Sequence, residues 1–132
     1  MAQTSLLRPE GLVRSPAFTH VAVVPPGATT IYVGGQNAVD GDGTLVGGDD
    51  IAAQTQQVMT NHHVALAAAG ASVHDLVMMT MLLVDGADLA AAYPVAVAEL
   101  GGAAPRVVAA RVARLAVPGA LLEVSAVAAV TS

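Results

Sequence analysis

Residues 76–84, Leu-Val-Met-Met-Thr-Met-Leu-Leu-Val, are the most strongly apolar stretch of this 132-residue chain and hold no charge, glycine or proline. The run is far below the roughly 20 residues that span a bilayer. Asp75 and Asp85 bound it abruptly, so it is too short for a long helix and reads as a buried strand. A strand of this kind needs cover on both faces, and the flanking sequence supplies helices.

Upstream, Asp49 and Asp50 precede Ile51, where a carboxylate accepts from free amides and meets the positive end of a helix dipole. Ile51, Thr55, Val58, Met59, His62, Ala65, Leu66 and Ala69 then recur at helical spacing, with Gly70 suited to the residue after the cap. Downstream, Asp88 is placed to cap a helix running to about Leu100, kinked by Pro94 and ended by Gly101-Gly102. Outside this central unit, His20–Val24 and Thr30–Val33 are β-rich and predict a hairpin with a wide turn at Pro25-Pro26-Gly27. Asp40-Gly41-Asp42-Gly43 is a turn signal before a short strand at Thr44–Val46. Val107–Leu115 and Leu121–Val130 predict a second hairpin through Val117-Pro118-Gly119. The order β-β-α-β-α-β-β is an α+β, two-layer fold with both helices on one face of a sheet. Residues 1–14 are expected to be an N-terminal arm and 15–132 a single domain. Both parities of the last strands are apolar (Val107, Val108, Ala109, Ala110, Val112), so the second sheet face is expected to pack against copies of itself.

Composition supports that burial. Hydrophobic residues make up 55% and charged residues 11%, and mean hydropathy is +0.65, too apolar for an ordinary monomer surface. Net charge is −5, without lysine, and the aromatics are Phe18, Tyr32 and Tyr93 alone. A phosphate backbone has little to bind here and bases have little to stack on, so nucleic acid is excluded as a partner. The absence of cysteine removes disulfides, thiolate nucleophiles and cysteine zinc sites. Residues 1–10 lack the basic-then-apolar order of a secretion signal, and the chain reads as cytoplasmic with no membrane segment.

Few clusters carry chemistry. His62 and His63 are helix neighbours pointing about 100° apart, too divergent to chelate one ion, so His62 is expected in the core and His63 toward solvent. Asp40-Gly41-Asp42-Gly43-Thr44 opens like a calcium loop, but Leu45 and Ile51 occupy the positions of its glycine and bidentate acid. No helix follows those glycines directly, as a phosphate loop requires, and no serine stands in a nucleophile elbow. Glu123 is the single acid after Glu99, set among Leu121, Leu122 and Val124. A carboxylate there is either solvated at a strand end or placed in a cleft as a general base. Gly34-Gly35 after a strand allows close approach of a chain or a ligand.

Taken in order from about Ser15 to Val130, several segments resemble the RidA (YjgF) family of reactive-intermediate deaminases. They are Ile31-Tyr32-Val33-Gly34-Gly35-Gln36, the helix end Ala67-Ala68-Ala69-Gly70, the strand Leu76–Val84, Val112-Ala113-Arg114-Leu115 and Leu122-Glu123-Val124-Ser125-Ala126-Val127-Ala128. The resemblance implies a chorismate-mutase-like fold, a homotrimer with its sheets in a central barrel, and a ligand cleft at each subunit interface. It also implies hydrolysis of small 2-imino or enamine acids to 2-oxo acids and ammonia, without metal or organic cofactor. By the same resemblance Glu123 matches the glutamate that handles water, Gly35 the glycine of the Gly-Gln turn, and Phe18 a position where tyrosine is common. Counting back from Val112-Ala113-Arg114-Leu115, Val107 stands where the arginine that holds the substrate carboxylate is expected, with Arg106 one residue earlier. A one-residue offset turns a side chain to the other face of a strand. Arg106 therefore reaches the cleft only through a bulge or a shifted register, and Arg111 shares Val107's parity about 13 Å further along. The expected function is deaminase-like hydrolysis with altered substrate or reduced activity. The alternative is a family member that binds a small metabolite in the same cleft without turning it over.

Overall fold

A computed structural model describes residues 3–131. Its elements are β1 (Ser5–Leu7), β2 (Val21–Val23), β3 (Thr29–Gln36), α1 (Ile51–Ala68), β4 (Leu76–Val84), α2 (Leu89–Leu100), β5 (Arg106–Val112) and β6 (Leu122–Val130). A single 3₁₀ turn, Val73–Asp75, precedes β4. Strands β3-β6-β4-β5 form one sheet, and β1-β2 a small separate one.

The central unit forms as its sequence dictates. Asp50 caps α1 by accepting from the amides of Ala52 and Ala53 at 3.0 and 3.2 Å. At the other end Gly70 takes φ 75°, and the Gly70 and Ala71 amides donate back to the Ala67 and Leu66 carbonyls. This left-handed exit satisfies carbonyls that the helix leaves free. Asp88 caps α2 through Ala91, and Gly101 ends it at φ 53°. Pro94 lies inside α2, and β4 spans the whole apolar run.

Both expected hairpins are absent. Val21–Val23 pairs antiparallel with Ser5–Leu7, inside the segment read as an arm, and β3 pairs with β6. The two prolines at 25 and 26 offer no amide to a ladder, and the chain leaves one sheet there and enters the other. Strand β5 stops at Val112 and runs parallel to β4, joined to it through α2, while β6 returns between β3 and β4. A helix between parallel strands is the ordinary crossover. The central place of β6 accounts for its nearly unbroken apolar sequence.

The register sorts side chains by face. Met79, Met81 and Leu83 align with Val107, Ala109 and Arg111 and with Ala126, Val124 and Leu122. This face carries the helices, because Met79, Leu83, Leu122, Val124 and Ala126 share a core with Val58, Met59, Leu66, Ala92 and Ala96. The opposite face presents Tyr32, Met78, Thr80, Val108, Glu123, Ser125 and Val127. The middle of this face is left open by the described residues, with Tyr32 79%, Val108 50% and Met78 37% exposed.

Two buried polar groups of α1 tie the layers together. Gln54 is fully buried; its amide donates to the Gly48 and Gly119 carbonyls at 2.7 and 3.0 Å, and its carbonyl accepts from the Leu121 amide at 2.9 Å. Gln54→Leu keeps the volume but strands these partners, and a loss of about 2–3 kcal/mol is expected in denaturant unfolding. His62 lies in the core and donates from Nε2 to the Val124 carbonyl at 2.7 Å. Its Nδ1 has no partner among the described residues.

Burial holds His62 below the ordinary imidazole pKa; the Val124 carbonyl acts the other way, and the charge of His63 adds to the lowering. The unfolded chain therefore takes up the proton first. Stability from neutral His62 is complete above the unfolded value of about 6.5 and is lost as pH falls below it. Thermal melts from about pH 7.5 to about pH 5.5 are expected to show a falling Tm, and a shallower fall in His62→Gln.

Candidate functional site: two separate groups

The candidate residues gather into two groups. The first lies where β3 meets β6. Val33 pairs with Ala126 and Gln36 with Val124, so three steps on β3 answer two on β6 and the ladder bulges at Gly34-Gly35. The bulge brings Gly35 directly under Glu123: a Cβ there would sit 2.7 Å from the glutamate carboxyl carbon and one of its oxygens. Glu123 is half-buried and has no hydrogen-bond or ion-pair partner among the described residues. The following loop is pinned from α1, where the Asn61 amide donates to the Asn37 and Val39 carbonyls at 3.1 and 2.9 Å. Asn37 in turn donates to the Leu122 carbonyl at 3.1 Å. The carboxylate is thus set over a backbone that two side-chain amides hold in place.

The second group lies under α2. Phe18 and Val107 line one cavity of about 260 Å³, together with Met79, Met81, Leu89 and Tyr93. The segment carrying Phe18 is tied down by the Arg8 guanidinium, which donates to the Ser15 and Phe18 carbonyls, and by an edge-on contact of Phe18 with His20 at 5.3 Å.

Arg106 is not part of that cavity. It pairs with Met78 across β4 and β5 in an unbroken register, opposite in parity to Val107. Its guanidinium is buried, donating to the Val77 and Leu76 carbonyls at 2.6 and 2.5 Å and to the Thr19 hydroxyl at 2.5 Å. Leu76 pairs with Ala128 and Met78 with Val127, so Val77 is the extra residue of a bulge in β4, and Arg106 braces it. Burial draws the Arg106 pKa down from its ordinary value. Arg111 shares the face of Val107, with its guanidinium on the Ala87 carbonyl at 2.9 Å.

Within one chain the two groups stand apart. Glu123 shares its row with Leu82 and Ala110. Val107 lies three residues before Ala110 and two strands from β6, so roughly 14 Å separates them, on opposite faces of the sheet.

Of the residues singled out in the sequence, Phe18 and Val107 lie on the α2 cavity, Gly35 and Glu123 meet at the bulge, and Arg106 joins neither group; the rest of the α2 cavity is not among them. The signals for it are the i, i+2 pair Met79 and Met81 on a strand and the i, i+4 spacing of Leu89, Tyr93 and Val97 on a helix. His63 and the Gln56 amide both reach Glu99, at 3.0 and 2.7 Å, joining α1 to α2. These contacts, the Gln56 bond above all, hold the Glu99 carboxyl below its ordinary pKa. Among the described residues no three histidine, aspartate or glutamate side chains converge as metal ligands, and no helix is long and apolar enough to cross a membrane.

Comparison with known proteins extends the likeness over nearly the whole chain. The conserved Rid family protein YyfB of Yersinia pestis is 30% identical, with a TM-score of 0.85 over 98% of this chain and 100% of that one. RidA of the Antarctic bacterium Psychrobacter sp. PAMC 21119 is 28% identical, with a TM-score of 0.68 over 89% and 98%. Rv2704 of Mycobacterium tuberculosis, of the YjgF/YER057c/UK114 family, is 25% identical, with a TM-score of 0.65 over 97% and 100%. No match to this chain is found among curated proteins. The family model described as Endoribonuclease L-PSP covers residues 14–130, from before Phe18 to the end of β6. With the sheet order, the Gly34-Gly35 bulge and Glu123 all inside that match, the chain belongs to the Endoribonuclease L-PSP family, that of the RidA and YjgF proteins.

Proposed function

We propose that this protein is a deaminase-like hydrolase of small imines and enamines, acting as a cytoplasmic homotrimer at clefts between its copies, with a substrate choice altered by Val107. The observation that carries the reading is the Glu123 carboxylate, seated on Gly35 and without a partner among the described residues. A carboxylate so placed takes a proton from water as the oxygen adds to the imine carbon. The proton passes to nitrogen, the C–N bond breaks, and the balance is imine plus water to carbonyl compound plus ammonia.

The separation of the two groups supports a site made between copies. The Glu123–Gly35 group lies at the β3–β6 side of the sheet and the Phe18–Val107 group beside β5, the opposite edge. A head-to-tail contact brings one copy's first group to the next copy's second, and such contacts close into rings. The uncovered apolar face, with Tyr32, Met78 and Val108 exposed, gives that ring an interior. The nuclease activity in the family's description is not carried over, because a net charge of −5 without lysine repels a phosphate backbone.

The test is release of ammonia and 2-oxo acid from freshly generated 2-aminoacrylate, alongside light scattering on a sizing column. Turnover is expected to be about 30- to 1000-fold below that of an arginine-bearing relative, the worth of one lost charge-assisted contact. A stable monomer at micromolar concentration, or no hydrolysis of any imine, overturns the proposal.

A further inference from the structure

The cavity under α2 is chemically uniform. Its wall is Ala17, Phe18, Met79, Met81 and the side chains of α2 and β5 that face them, and the one hydroxyl on it belongs to Tyr93. No cationic side chain lines this space, so a carboxylate entering it would exchange water for hydrocarbon without gaining an ion pair from the wall. Arg106 has the opposite parity and spends its donors on Leu76, Val77 and Thr19. Arg111 is engaged with the Ala87 carbonyl. The nearest helix terminus, that of α2, already holds the carboxylate of Asp88. Hydrocarbon meets the reverse conditions: two thioethers and two aromatic rings give it polarisable contacts, and apolar cavities of about 150 Å³ already accept benzene. At about 260 Å³ the space holds a phenyl ring or a branched aliphatic chain.

We infer that this cavity selects an uncharged hydrocarbon substituent, up to the size of a phenyl ring, at the position where the resemblance to the family implies an arginine holding a carboxylate. The inference rests on the hydrolase reading for the role of the bound group, and it names the substrate class as imines or enamines bearing an aliphatic or aryl group there. Val107 is then a specificity residue, and Met79 and Met81 form the floor.

Methyl-labelled methionine makes the test direct. Met79 and Met81 report on the cavity, while Met78, on the other sheet face, serves as a control. Titration of the intact protein with benzyl alcohol is expected to shift the Met79 and Met81 methyl resonances and leave Met78 unmoved. Benzoate and 2-oxobutanoate are expected to bind at least about tenfold more weakly, the worth of 1.4 kcal/mol. Ala109→Phe, at an exposed position that faces the cavity, is expected to abolish the benzyl alcohol shifts. Val107→Arg, also at an exposed position, is expected to reverse the preference toward the carboxylates. No shift of Met79 or Met81 overturns the inference, as does equal binding of the carboxylates. Carboxylate binding that disappears in Arg111→Ala overturns it too, because Arg111 then supplies the missing cation. Ammonia release is scored separately: cavity binding without hydrolysis of any imine leaves this inference standing and removes the hydrolase reading, and hydrolysis with no probe bound does the opposite.

Discussion

Glu123→Gln is expected to leave oligomeric state and Tm nearly unchanged while lowering imine hydrolysis by roughly 10²- to 10⁴-fold, the usual worth of a positioned general base. The glutamine keeps the shape of the side chain, and no partner among the described residues is lost with the charge. What disappears is the capacity to take a proton from water. Ammonia release under single-turnover conditions reads this directly. A variant that turns over at the parent rate would show that the water is activated elsewhere, and a variant that unfolds would assign Glu123 a structural role.

Gly35→Ala is expected to cost roughly 100-fold in the same assay, the penalty for displacing a reacting group by about 1 Å. The added methyl would stand 2.7 Å from the Glu123 carboxyl carbon and one of its oxygens and 3.0 Å from Cγ. These atoms belong to a flexible side chain, so the carboxylate swings aside and the backbone stays. Gly35 is not among the glycines at positive φ, so alanine brings no backbone strain. The separating measurement is paired: kcat falls while the unfolding midpoint holds. If Tm falls together with kcat, the glycine serves packing rather than placement of the carboxylate.

Local signals carried the helices and β4 because each is written in adjacent residues. Asp50 and Gly70 delimit α1, Asp88 and Gly101 delimit α2, and Asp75 and Asp85 flank β4, which is uniformly apolar between them. Pairing is not local. Val107–Val112 has the composition of a hairpin arm, yet it ladders with β4, and nothing in its own residues distinguishes a parallel partner across α2 from an antiparallel one across Pro118-Gly119. The same gap governs the site. Glu123 and Gly35 stand out as an acid in an apolar strand and a paired glycine, but their contact depends on a bulge whose extra residue is recognisable only against β6. Ser5–Leu7 is three residues long, below the length at which alternation can be read, and it is a strand because β2 lies beside it.

The brace that Arg106 forms across the β4 bulge bears on how this chain can change. Positions 106 and 107 are adjacent in sequence but answer to different neighbours, one to the carbonyls of Leu76 and Val77 and the other to the α2 cavity. An arginine gained at 107 would not compete with the one at 106, and losing the one at 106 would unsettle β4 without altering the cavity wall. The two neighbouring positions are thereby uncoupled: the lining of the α2 cavity can change at 107 while the support of β4 at 106 stays as it is.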